Sequence, residues 1–237
     1  MITEALPLLA RGLAMTLALT LVTSALALAW GLPIGLLRLS RVRWQNWIGT
    51  AYVETFRNVP ALVLVIIGGF ALPNAFPHAA RRALFFDNSS VAWIGQITGL
   101  PVPYYAIAAV LGLSLNTSAY LAELFRAGVG AIAREHFEAA RSLGATPGAV
   151  FWGLLLPQGL AAAYPAIATR LIHNMKNTAL ASFLTVPEFF KAIQTAIGES
   201  FRAVEFLIVA AGGYLLLAAL MSSALSVAEG WLKGGRR

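Results

Sequence analysis

Asn116, Tyr120 and Glu123 recur at steps of four and three residues inside an apolar stretch, with Thr117 beside the first of them. Arg170, His173, Asn174 and Asn177 repeat the pattern in a second such stretch. On a helix, these steps bring side chains onto one face. The chemistry they offer is hydrogen bonding and ion pairing within a greasy environment. Such a face lines a path for a polar solute, or it supplies hydrogen bonds between neighbouring helices. Arg170 offers a cation to a carboxylate on a solute, to a lipid phosphate or to a neighbouring glutamate. Glu54 and Arg57 form a further polar group, suited to pairing with each other or to gating. Covalent and metal chemistry lack their residues. There is no cysteine, hence no disulfide framework, thiol nucleophile or thiolate metal site. His78, His136 and His173 are too far apart for ligand spacing. No G-x-x-x-x-G-K-[ST] segment occurs, so the chain carries no phosphate-binding loop of its own.

The elements that must position these groups are apolar helices. The chain of 237 residues is 59% hydrophobic and only 11% charged, with mean hydropathy +0.74. Soluble domains carry about 25% charged residues. Leu13 to Leu37 and Pro60 to Ala80 contain no charge, and Ala203 to Leu232 contains only Glu205 and Glu229. About 20 apolar residues cross a bilayer, so the pattern predicts an all-α integral membrane protein. Its five spans are expected at about 13–37, 53–72, 104–125, 158–173 and 204–227. The first is too long for a signal-peptide core and reads as a retained span. The loop from Pro73 to Pro103 is rich in turn formers, and its "VAWIGQITGL" part suits a small interfacial helix.

The net charge of +7 sits in short loops between apolar runs, which argues against nucleic acid as a partner. Arg38, Arg41 and Arg43, then Arg126, Arg134 and Arg141, then Lys233, Arg236 and Arg237 fall on one side of the alternating spans. Arg11, Arg81, Arg82, Lys191 and Arg202 are spread over longer segments on the other. The positive-inside rule then puts the N-terminus outside, and the C-terminus and the loop at about 130–157 in the cytoplasm.

That loop, "REHFEAARSLGATPGAVFWGLLLP", is amphipathic and punctuated by Gly and Pro. Arg134 to Leu143 reads as a short helix with Gly144 as its stop. Thr146 caps a second helix that begins at Pro147 and carries Val150, Phe151, Leu154 and Leu155 on one face. Pro157 is expected to mark the start of the fourth span. A short helix of this kind suits insertion into a partner's groove; lying on lipid as an interfacial helix is the alternative.

"EAARSLGATPGAVFWGLLLP" resembles the signature loop of binding-protein-dependent ABC importer permeases. Glu138, Ala139, Ala140, Gly144, Leu154, Leu156 and Pro157 occupy the places of that pattern, Leu154 standing where Ile is usual. "YVETFRNVP", "LSLNTSAYLAELFRAGV" and "KNTALASFLTVPEF" are similar to segments of the polar amino acid permeases. The likeness covers about Gly12 to Val227. Glu135-His136 replaces the usual Gly-Gln pair, Asn177 the usual Asp, and Val59 the usual Thr.

The resemblance implies a single permease domain over 1–237, in the bacterial cytoplasmic membrane, with a coupling helix between spans three and four. The chain would not be an enzyme; ATP and Mg would belong to a partner ATPase that receives Glu138, Ala139, Ala140, Arg141 and Gly144 in a groove. A second permease chain, identical or homologous, would complete the path, and a periplasmic or lipoprotein solute-binding protein would deliver the solute. Glu54, Arg57, Asn116, Thr117, Tyr120, Glu123, Arg170, Asn174 and Asn177 are the pathway candidates. A secondary transporter or channel subunit is the alternative function, and a membrane anchor for a complex a further one. Neither accounts for the spacing of the central loop, and no internal repeat of the kind common in secondary transporters is present.

Overall fold

The computed structural model describes residues 2–132 and 134–234, and all regular structure among them is helical. Helix α1 (Ile2–Leu39) is followed by α2 (Arg43–Asn58), α3 (Ala61–Ile66), a π turn (Ile67–Ala71) and α4 (Leu72–Asn74). Next come α5 (His78–Arg81), a π turn (Arg82–Phe86), α6 (Ser89–Thr98) and α7 (Pro103–Gly130). Then follow α8 (Arg134–Ser142), α9 (Pro147–Val150), a π turn (Phe151–Leu155) and α10 (Leu156–Asn177). A 3-10 segment (Thr178–Leu184), α11 (Phe189–Ser200) and α12 (Ala203–Gly234) complete the described chain.

Among the described residues, four stretches are long and apolar enough to cross a membrane: Glu4–Leu39, Pro103–Gly130, Pro147–Leu184 and Ala203–Gly230. The helices flanking Pro60 make a fifth if taken together. The expected span at 53–72 is therefore interrupted. Pro60 takes φ −55° and ψ 138°, since its ring fixes φ and its nitrogen cannot donate to the turn behind it. The fourth span begins earlier than its expected start near Gln158, because the helix opened at Pro147 runs on through Pro157. A π turn precedes that proline, with the Leu156 N–H reaching the Phe151 carbonyl. Widening the turn there relieves the clash of the Pro157 ring with the preceding turn without ending the helix. A short helix stands where one was expected near residue 91: α6, with the Asn88 side chain accepting from the Val91 N–H at 2.9 Å and Gly99 in the left-handed region behind it.

The chain divides into two compact units. The first draws on residues 2–26, 59–116 and 173–219. Leu19, Val65, Tyr104, Leu113 and Leu184 form one of its apolar cores, and Leu9, Phe189, Ile193 and Phe206 a second. Between them lies a polar hub. Glu188, fully buried, caps α11 by accepting from the Phe190 and Lys191 N–H groups at 2.8 and 2.7 Å. It also accepts from the Tyr214 hydroxyl of α12 at 3.0 Å and the Thr16 hydroxyl of α1 at 3.3 Å. Four donors compensate a carboxylate that burial would otherwise make very costly.

The second unit draws on residues 27–58, 117–172 and 220–234. Ala27, Leu121, Ala163, Ile167 and Leu171 are its core. Here α1 approaches α7 closely: a Cβ added at Gly31 would lie 2.8 Å from the Ser118 carbonyl oxygen, and one at Gly35 3.1 Å from that of Ala122. The Gly-x-x-x-Gly spacing lets two helix backbones meet where lipid supplies no hydrophobic drive between them.

Candidate functional site

Helix α8 is short because Gly144 ends it. Gly144 takes φ +84°, its N–H reaches the Arg141 carbonyl at 3.0 Å, and the next N–H, of Ala145, reaches that of Ala140 at 3.2 Å. This pair of bonds is the Schellman closure, which needs a residue at ease in the left-handed region. The Thr146 side chain then accepts from the Ala149 N–H at 3.3 Å, and Pro147 opens α9. Helix α8 itself, which ends ahead of both caps, has two unlike faces. Phe137 and Ala140 are half-buried, while Glu138, Ala139, Arg141 and Gly144 are exposed. Leu143, at 89% exposure, is an apolar side chain with almost no cover. The Arg141 guanidinium sits 6.0 Å from the Phe137 ring.

The remaining polar candidates separate by partner. Within the first unit, Asn116 donates to the Val59 carbonyl at 3.2 Å, next to the interruption at Pro60. Asn174, fully buried, donates to Thr23 at 2.8 Å and Ser24 at 3.2 Å on α1. Asn177 and the His173 ring are 3.3 Å apart on a more exposed side. These are the interhelical and local bonds expected of amides in spans.

Within the second unit, Glu54 pairs with Arg57 at 3.8 Å and accepts from Asn58 at 3.0 Å. The Tyr120 hydroxyl donates to the Arg57 carbonyl at 3.3 Å. Its ring carries the Arg170 guanidinium 3.8 Å above its centre, and Arg170 also donates to Thr117 at 3.4 Å. A cation over an aromatic face is stabilised by the ring quadrupole, the more so away from water. Glu123 belongs to another group: it pairs with Arg38 of α1 and, at 2.7 Å, with Arg126 one turn along. The step pattern through Asn116, Tyr120 and Glu123 thus serves three different neighbours.

Several polar groups that join the helices escape a reading by sequence alone. Arg38 resembles any loop arginine until its ion pair with Glu123 is seen. Thr16, Thr20 and Thr23, all buried, form a polar stripe on α1 at steps of four and three. That spacing was available as a signal. Tyr52, which meets Ser118 hydroxyl to hydroxyl at 2.7 Å, and the Thr16 and Tyr214 bonds of Glu188 gave none, because those partners are remote in the chain. Among the described residues, no group of three or more His, Asp or Glu side chains could hold a metal ion.

A family model described as the binding-protein-dependent transport system inner membrane component matches residues 27–232. The chain belongs to that family. This permease is 30% identical over 217 residues to the arginine transport system permease protein ArtQ of Bacillus subtilis, covering 92% of this chain and 89% of that one. It is 28% identical over 232 residues to the nopaline transport system permease protein NocM of Agrobacterium fabrum, covering 98% and 90%. Among solved structures, an amino acid ABC transporter described as crystallised with histidines aligns with TM-score 0.79 and 27% identity over 96% of this chain and 95% of that one. An inward-facing form of the MetNI methionine ABC transporter shares the fold, with TM-score 0.66 at 21% identity over 96% and 97%.

The permease is therefore the multi-pass transmembrane component of an ABC importer of the bacterial inner membrane, and it is not itself catalytic. The family brings with it an ABC ATPase and a solute-binding protein as partners.

Proposed function

We propose that this permease imports an amino acid or a close relative, and that α8 is the contact through which an ATPase drives it. The supporting observation is the form of α8. It is a capped helix with an exposed mixed face, tied to two long spans by short connections, and a rigid body of that kind can carry a partner's motion into the helices that follow it. ATP favours one packing of the assembly, and α8 passes that bias on. In this reading α8 lies on the cytoplasmic side, as the distribution of Lys and Arg favours. A second permease chain, identical or homologous, closes the path. The names of the relatives, arginine and nopaline permeases, support the solute class. Arg170, over Tyr120 and beside Thr117, is the group suited to a solute carboxylate.

Glu138→Arg and Gly144→Leu test the role of α8. Each variant should reach the membrane in normal amount, while binding-protein-dependent uptake falls by at least about tenfold, the equivalent of ~1.4 kcal/mol of coupling. Uptake at the wild-type rate in both variants would remove α8 from the mechanism. Arg170→Gln should instead raise the half-saturating solute concentration and leave ATPase docking intact.

A further inference from the structure

Beneath α8 lies an open groove of about 500 Å³ that the transport reading does not use. Its apolar wall is built from the end of α1, through Leu36 and Leu37, and from Phe151 and Leu155 in the turn that leads into α10. Phe137 lines it from the half-buried side of α8. Its rim is polar, with Ser40, Arg41 and Gln45. Volumes of this size are typical of sites that enclose a small molecule.

We infer that this groove is a binding site for an anionic phospholipid, with an acyl chain against the leucine and phenylalanine wall and the headgroup phosphate at Arg41. The position of the groove is the first argument. It opens where α1, α7 and α10 all reach their ends, which is where hydrocarbon gives way to headgroups. Trp152 lines it at 63% exposure, and Trp44 and Trp47, on either side of the rim's Gln45 in the chain, are 62% and 70% exposed; exposed tryptophans of this kind mark the membrane interface. Charge complementarity is the second. Arg41 and its near neighbour Arg43 are exposed and take part in no ion pair among the described residues. A basic rim above an apolar slot between span ends suits an anionic lipid head. The inference rests on the cytoplasmic placement of α8 proposed above. A lipid seated there braces α8 on the side opposite its exposed face, so the composition of the inner leaflet would set how firmly the helix is held.

The test uses the full chain, purified in non-ionic detergent and offered equal amounts of phosphatidylglycerol and phosphatidylcholine with the same acyl chains. Retained lipid is read by native mass spectrometry. Phosphatidylglycerol should be retained in preference, and Arg41→Gln should cut that preference by about fivefold, the equivalent of ~1 kcal/mol for one basic side chain near the surface. Leu155→Trp, which fills the slot and keeps every charge, should reduce retention of both lipids. Equal retention of the two lipids, or a preference untouched by Arg41→Gln, overturns the site. The same measurement with the co-purifying ATPase bound should still show the lipid; its displacement would assign the groove to the ATPase and overturn the proposal. Orientation is read separately. The chain has no cysteine, so Ser40→Cys gives a single thiol. It should resist a membrane-impermeant maleimide in intact cells and react in inverted vesicles. Labelling from outside would fail the placement of α8, whatever the lipid measurement shows.

Discussion

A polar side chain in a membrane span survives by finding a partner, and in this permease most of the sequence-visible candidates find one inside the chain. Asn116 serves the carbonyl left without a helical donor beside Pro60, and Asn174 is held by two hydroxyls of α1. Glu123 is the case with the largest energetic stake, since it answers two arginines at once. Breaking a buried ion pair costs about 3–5 kcal/mol; Arg38 and Glu123 keep 13% and 22% exposure, so Arg38→Glu should cost nearer ~1–3 kcal/mol. A thermal melt followed by tryptophan fluorescence should show that loss, and adding Glu123→Arg should recover part of it. A double variant no more stable than the worse single one would mean that the pair contributes nothing directly. Sequence spacing singled these residues out and could not apportion them among partners. Periodicity gives the direction of a side chain around its own helix, whereas the partner sits on another helix, often as a threonine or serine that hydropathy passes over.

Helices in this fold are joined by devices of two ranges, and the ranges differ in how plainly they can be read. The stop at Gly144, the Thr146 cap and Pro147 act within four residues of themselves, so α8 was legible with its boundaries nearly in place. The π turn before Pro157 is also local, yet proline ordinarily signals an end, and here a widened turn carries the helix through. Close approach of α1 to α7 is the long-range device. Gly31→Ala would press a methyl on the Ser118 carbonyl and the Leu121 side chain, both at 3.0 Å or less, and should destabilise by about 1–3 kcal/mol. At Gly212 in α12 nothing lies within 4 Å of an added Cβ, and Ala there should be neutral or stabilise by up to ~1 kcal/mol through helix propensity. Melting temperatures of the two variants, measured side by side, should move in opposite directions or differ clearly. Equal shifts would mean that the Gly31 contact contributes nothing to stability.

At the scale of the whole molecule the permease is one part of a machine, and extraction from native membranes in mild detergent should bring its ATPase with it at a one-to-one ratio to total permease. Recovery of the chain alone under several such conditions, with ATPase abundant but unbound, would contradict stable assembly through α8. A sibling permease in the same eluate would decide between an identical and a mixed pair. The Glu188 hub has a consequence for how the molecule is made. Thr16 leaves the ribosome 172 residues before Glu188, and Tyr214 follows Glu188 by 26. Until α12 has been inserted, the carboxylate lacks one of its side-chain donors and the nascent bundle carries an incompletely answered charge. Synthesis of the last span is thus the step that closes the first one into place, and a chain cut short before Tyr214 would present a defect for membrane quality control to detect.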